Sequence, residues 1–379
     1  MACTVWLCAS MLARGQTGER LTHARPESGL YVETDRGFMV PFTAEIPGTE
    51  ATFEMIPVPG GTLRIQKDNG QIVTIIIRPF WLGKYEVTWH EYAGFMSLAV
   101  AFRKESQPRK IEPEQIDAVT APTLIYDTSS RLEFATSPDC PATSMSQYAA
   151  RQYTKWLSIL LKDHYRLPSE AEWTYACLAS HRQGTIPAEL LSASQLKSIA
   201  VFGREDGGPL RVGQRLPNAF GIHDMLGNVS EWVLDSNTKG SHLWQLEPYE
   251  YSVAESVGYA ATRFAALACG GGCWDEVADC QPMSRLVADE ELWMEDPDFP
   301  SSLSWMADPN RDRSIGFRIL CPLDDEAPEK SQRSWLPDNE ELWTVVRQRI
   351  QWRDSLGVVK PRDTEWTTLQ FPFGRPRAK

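Results

Sequence analysis

No run in this 379-residue sequence approaches the ~20 consecutive apolar residues that a membrane-crossing helix needs, so a helical membrane protein is not expected. Lysine and arginine form no cluster and the formal net charge is -12, which argues against a protein held to nucleic acid through its phosphates. Cysteine is sparse. The eight residues, at positions 3, 8, 140, 177, 269, 273, 280 and 321, are too few for a disulfide-stapled scaffold, and only Cys269, Cys273 and Cys280 cluster. Internal repeats and low-complexity tracts do not stand out, which argues against a solenoid.

What is present suits a folded core with much irregular backbone. Apolar residues make up 42% of the chain, and 14 Trp and 26 Pro fit aromatic packing and loops better than a helical bundle. Residues 14 to 50 are polar and punctuated by proline; they read as a mostly irregular lead-in with one strand at Gly37 to Phe42. Leu63 to Ile65 and Ile72 to Ile77 are rich in branched residues and flank Asp68-Asn69-Gly70, a hairpin signal. Thr88 with Glu91 forms a capping box ahead of a short helix, and residues 103 to 142 read as a long irregular insertion of the kind that shapes binding faces. Ser146 to Leu161 is expected as an amphipathic helix, with Ala149, Tyr153, Trp156, Leu157 and Leu160 on one face. Ser169 and Glu172 predict another capped helix start. Pro322 to Pro328 looks like a boundary, followed by a helix at Asn339 to Trp352 whose apolar side docks on the core or meets a partner.

The stretch around which the chain is organised is Pro217-Asn218-Ala219-Phe220-Gly221-Ile222-His223-Asp224-Met225-Leu226-Gly227-Asn228-Val229-Ser230-Glu231-Trp232. Asp224 and Glu231 offer carboxylate oxygens, and Gly227 permits a tight turn. The carbonyls of Gly227 and Val229 could point the same way, which suits a hard cation such as calcium. On chemistry alone a solvated turn explains the same residues.

Three further blocks occur with it in order: Phe53 to Thr62 with Phe80 to Thr88; Tyr165-Arg166-Leu167-Pro168-Ser169-Glu170-Ala171-Glu172-Trp173-Thr174-Tyr175-Ala176; and Gly270-Gly271-Gly272-Cys273-Trp274 with Gly316-Phe317-Arg318. Together they resemble the signature of the formylglycine-generating enzyme family, also called sulfatase-modifying factors, across roughly residues 52 to 321. The resemblance implies an α+β, C-type-lectin-like sulfatase-modifying-factor fold, low in regular secondary structure. The expected layout is an irregular lead-in over 1–50, the family domain over 51–322, and a C-terminal extension over 323–379.

The resemblance also implies chemistry. Active members bind copper(I) with two thiolates four residues apart and use dioxygen to oxidise a sulfatase cysteine to formylglycine; soft thiolates are what copper(I) selects. Here the two ligand positions fall on Glu276 and Gln281, neither a thiol. Cys280 misses by one residue, so a relocated copper site would use Cys273 and Cys280, or Cys269. Zinc held by the three cysteines, a redox-sensing thiol cluster, a disulfide and buried free thiols are the alternatives. The calcium reading carries over residue by residue, with Asp224 and Glu231 by side chain and Gly227 and Val229 by carbonyl. Its role would be structural, and the family's second calcium site would lie upstream in the variable stretch. The family also suggests a Cys177 to Cys321 disulfide in an exported protein, and places Arg285 and Arg318 in internal ion pairs or at a substrate carboxylate.

Met1 to Ala13 resembles the apolar part and small-residue end of a secretory signal without its basic leading region, and export to the periplasm or outside is the expectation. Two functions follow from the resemblance. The favoured one is a non-catalytic or catalytically altered, calcium-stabilised domain that binds a protein, peptide or glycan ligand; the other is a copper- and dioxygen-dependent oxidase acting on a sulfatase polypeptide.

Overall fold

The computed structural model describes residues 16–17, 19–67, 69–95, 137–143, 145–179, 191–205, 207–236, 241–259, 265–287, 315–324, 333–336 and 339–344. Its largest sheet has five strands: β1 (Gln16–Thr17), β5 (Phe42–Glu45), β6 (Thr52–Val58), β9 (Phe80–Gly83) and β15 (Leu320–Pro322), in the order β1-β5-β6-β9-β15. Every pairing in it is antiparallel. Along β6 the alternation of Thr52, Phe53, Glu54 and Met55 turns the apolar residues to the core, as the two-residue period of a strand requires. Pairing of β9 with β15 ties the early part of the chain to residues 320–322, so the sheet closes over a long sequence separation.

A second sheet, in the order β13-β12-β10-β14, consists of β10 (Ser230–Ser236), β12 (Ala266–Cys269), β13 (Arg285–Val287) and β14 (Ile315–Phe317). All seven residues of β10 are buried. A third sheet joins the hairpin β7 (Gly61–Gln66) and β8 (Ile72–Ile77) to β11 (Glu250–Ser252), and a small fourth one holds β2 (Leu21–Thr22), β3 (Val32–Thr34) and β4 (Gly37–Met39). The hairpin forms where expected, in register from Gly61 with Ile77 to Gln66 with Ile72. The lead-in corrects the reading of its sequence: β1 to β5 lie there, and β5 pairs along its length with β6 of the main sheet. The strand expected at Gly37 to Phe42 is realised as β4, with β5 starting at Phe42; β1 to β3 are two or three residues long, too short for a periodic pattern to register, and tertiary pairing defines them.

Helices of the described fold include α1 (89–95), α2 (Gln147–Leu161), α3 (Glu170–Cys177), α4 (Ala193–Leu196) and α5 (Val253–Ser256). Ser146 caps α2 by accepting from the Ala149 amide, and α3 starts with the expected capping box of Ser169 and Glu172. Helix α2 is buried from Gln147 to Ser158 on all sides, not on one face. The reason is a segment from the C-terminal extension laid across it. Arg151 donates to the carbonyls of Arg333, Ser334 and Leu336, and Gln152 donates to that of Trp335.

The core divides into two clusters. One packs Tyr92, Phe95, Tyr153, Trp156 and Phe317 beside the main sheet; the other packs Trp173, the inward face of the hairpin, and β12. The expected Cys177 to Cys321 disulfide is absent because the two residues belong to different clusters. Cys321 accepts from Arg20 and faces Asp163, whereas Cys177 packs with the second cluster, and both are free thiols. The signal-like segment at residues 1–13 and most of the 103–142 insertion lie outside the described residues; of the helix expected at Asn339 to Trp352, residues 340–344 are helical and those beyond 344 lie outside the described residues.

Candidate functional site

Residues 217–232 fold as a loop that runs into β10, and its shape is set locally first. Asn218 accepts from the amides of Phe220 and Ile222 and donates to the carbonyl of Ala176, pinning the turn to the end of α3. Gly227 has φ +71°, and a Cβ there would lie 2.3 Å from the Val201 carbonyl oxygen, so the close approach admits only glycine. Asp224 and Asn228 also take positive φ, at 55° and 58°, a region that Asp and Asn tolerate better than most residues.

A buried carboxylate then clasps the loop from outside. Glu86, in the segment after β9, accepts from the Val229 amide at 3.1 Å and the Asn228 side-chain amide at 2.7 Å. Burial drives its carboxyl well above the usual carboxylate range, and the nearby Asp224 and Glu231 carboxylates push in the same direction. On the far side the loop meets the Gly270–Cys273 turn, where Gly227 donates to the Gly270 carbonyl and Cys273 to the Asn228 carbonyl. The two stretches that the sequence singled out therefore form one structural unit.

At its centre lies Arg318, fully buried. Its Nε donates to Glu231 at 2.6 Å and Nη2 to the other oxygen of the same carboxylate. Nη1 reaches the Gly83 carbonyl at 2.9 Å, and Nη2 also reaches the carbonyls of His223 and Asp224. Trp173 completes the set by donating to Glu231 at 2.7 Å. Asp224 is engaged separately, its Oδ2 accepting from the Gly213 amide at 2.6 Å. A carboxylate and several backbone carbonyls are the oxygen donors that a hard cation uses, and here they surround a guanidinium.

The cysteine cluster is drier than its spacing suggested. Cys269, Cys273 and Cys280 are buried free thiols, and among the described residues no three His, Cys, Asp or Glu side chains group closely enough to hold a metal. The sulfur of Cys280 lies against the Gly272 carbonyl, and a Cβ on Gly271 would come 2.9 Å from it. Burial and the neighbouring Asp275, Asp279 and Glu276 push the Cys280 thiol up to about 12, and burial likewise raises Cys273 and Cys269. The position expected for the second copper thiolate holds Gln281, which is buried and accepts from the Leu191 amide at 2.8 Å while donating to the Val277 carbonyl at 2.6 Å. Glu276, at the first position, is exposed.

A family model described as sulfatase-modifying factor enzyme 1-like domain matches residues 43–296. The chain belongs to the sulfatase-modifying factor family. It is 24% identical to the formylglycine-generating enzyme of Thermomonospora curvata over 220 residues, covering 48% of this chain and 71% of that protein. It is 32% identical over 237 residues to a protein named serine/threonine-protein kinase pkn1 from Chlamydia caviae, covering 60% of this chain and 34% of that one. The chain thus spans about a third of the length of the Chlamydia relatives it matches. Among solved structures, Treponema denticola variable protein 1 aligns with a TM-score of 0.49 at 16% identity, covering 75% of this chain and 99% of that one.

Of the calcium set that the family resemblance implies, Glu231 and Asp224 both accept from protein donors. Both Glu231 oxygens accept from Arg318 and one of them also from Trp173, so an ion at Glu231 would share the carboxylate with a buried guanidinium. Arg285 also takes the ion-pair role, meeting Glu170 at 2.8 Å. The sequence reading missed Glu86, Asn228 and Trp173. Glu86 carried a usable signal, a lone acid between Tyr85 and the apolar Val87, but nothing in its neighbourhood named its partners.

Proposed function

We propose that this sulfatase-modifying factor domain is a catalytically altered binding domain that does not convert a sulfatase cysteine to formylglycine. The observation that carries this reading is Gln281. It stands where a copper thiolate is required, and its side chain is spent on tying residues 191 and 277 together. The two neighbouring thiols add to it: Cys273 and Cys280 are inaccessible, and their environment disfavours the thiolate that copper(I) binding needs. In this reading the loop's cation is Arg318, not calcium, and the domain holds its shape without a metal. Its ligand would be a protein, peptide or glycan met by the irregular loops.

The test is copper(I) titration of the reduced protein, scored by stoichiometry and by protection of thiols from alkylation, beside Cys273→Ser and Cys280→Ser. No tight copper and no oxidation of a cysteine-containing sulfatase peptide are expected. One tight equivalent lost in both variants, with turnover of the peptide, would establish a relocated oxidase site instead.

A further inference from the structure

Residues 241–258 carry β11 and α5, and both ends of this stretch are held by neighbouring carboxyls, Glu170 and Asp235, which are fully buried. At the first end Glu170 accepts from the Ser241 hydroxyl and from the amides of His242 at 3.0 Å and Leu243 at 3.4 Å. At the second, Asp235 accepts from the Gly258 amide at 2.9 Å, and the Ser236 amide donates to the Gly258 carbonyl at 2.7 Å. The two ends touch: a Cβ on Gly258 would lie 2.5 Å from Cγ of the His242 ring. Between them, Ser252, Val253, Ala254 and Val257 wall a cavity of about 490 Å3 whose lining also includes Phe80 and Leu323.

The two carboxyls are not equivalent. Glu170 accepts in addition from Arg285 at 2.8 Å, so a cation accompanies it in the interior. Asp235 accepts from amides alone, that of Gly258 and that of Glu170 itself at 2.6 Å, and among the described residues no cationic side chain bonds to it. From α3, Glu170 and Glu172 add negative charge around it, Glu172 being gripped by Arg166. On α2, Arg151 is turned to the carbonyls at 333–336. Cys269 of β12 and Tyr259, which feel the Asp235 charge, are both held in their neutral forms by burial. Burial and the Glu170 carboxylate push Asp235 up to about 8, and burial lowers His242, whose ring is therefore neutral where Asp235 titrates.

We propose that residues 241–258 form a pH-gated strap on the cavity, shut while Asp235 is protonated and released at its Gly258 end when Asp235 ionises. An ionised Asp235 under the closed strap is a buried charge beside a second carboxylate, and release lets water reach it. A hydrated Asp titrates near ~3.9, so the closed strap holds the extra proton between that value and about 8. Its hold is full below the hydrated value and is lost progressively as pH rises through about 8. Whether copper binds at the cysteines has no bearing on this device.

The experiment is amide hydrogen exchange on the full chain from about pH 6.5 to about 9, read by mass spectrometry for peptides within 241–258 and within β6, each rate divided by that of a free amide at the same pH. Strap amides should exchange ahead of β6 at every pH. Their opening should rise by about tenfold per pH unit up to about 7.5 and level off above about 8, as loss of one proton requires. Asp235→Asn, which keeps an acceptor for Gly258 and carries no charge, should flatten the rise. Glu91→Gln, which removes a buried carboxyl elsewhere in the core, should leave it in place. The comparison of strap and β6 on the unmodified chain does not depend on a variant folding. Strap opening that does not change with pH, exchange no faster than in β6, the same rise in Asp235→Asn, or its loss in Glu91→Gln would each overturn the proposal.

Discussion

Two buried ionisable residues define what single side chains do here. Arg318 satisfies both oxygens of Glu231 and several carbonyls at once, which a shorter or uncharged side chain cannot do. Arg318→Met leaves Glu231 as an uncompensated buried charge, and a loss of about 3–5 kcal/mol is expected in urea denaturation. In the same reading, calcium and EDTA both leave the melting temperature of the unmodified protein where it was; a rise with calcium would refute the arginine as the loop's cation. Glu91 behaves differently. Burial pushes its carboxyl up to about 7 despite hydrogen bonds from Thr88. An unfolded Glu titrates near ~4.3, so the native state holds the extra proton between those values. The stability tied to that proton is full below the unfolded value and is lost as pH rises through about 7. Glu91→Gln should flatten the fall in melting temperature between pH 5 and 8, as read by calorimetry across that range; a slope equal to the parent's would exclude Glu91 as its source.

At the scale of elements, the clearest case is α3, which carries Trp173 into the site. Its start is overdetermined: Ser169 and Glu172 cap each other, Arg166 grips Glu172, and Asp235 accepts from the Glu170 amide. Ser169→Ala removes one of these supports and should cost about 1 kcal/mol of unfolding free energy, with the helix retained by circular dichroism. A loss of several kcal/mol would mean that Ser169 also orders the Arg166–Glu172 pair. The cap was legible in the sequence because its partners stand three residues apart. So was the β7–β8 hairpin, whose Asn69 and Gly70 turn sits between branched runs. By contrast, β1 to β3 give no local signal, being two or three residues long and made by pairing.

For the whole molecule, the C-terminal segment is a structural part of the domain. Three carbonyls at 333–336 accept from Arg151, and Trp335 donates to the Tyr165 carbonyl. Arg151→Ala should release this segment. The expected outcome is faster chymotryptic cleavage near Trp335 in limited proteolysis, with the remaining digest unchanged; an unaltered digest would show that the other contacts, among them Gln152 to Trp335 and Trp335 to Tyr165, hold the segment without Arg151. The same closure explains why α2 is buried all round although its sequence shows one apolar face: the polar face meets backbone carbonyls where water was expected.

The amino-acid sequence by itself determined the family, the α+β class, the helix starts at Ser146 and Ser169, the β7–β8 hairpin, and that Glu276 and Gln281 stand where the family resemblance implies thiolates. Those features rest on spacing within a few residues or on ordered motifs, and neither needs a fold to be read. Only the tertiary structure decided that Glu231 is neutralised by Arg318, that Glu86 clasps Asn228 and Val229, that Cys177 and Cys321 lie in separate cores, and that Arg333 meets Tyr259 at a cavity. A buried charge or polar group takes the partner that packing brings to it, because in a low-dielectric interior an unpaired one is costly. Glu86 and Val229 are 143 residues apart, beyond the reach of any local pattern.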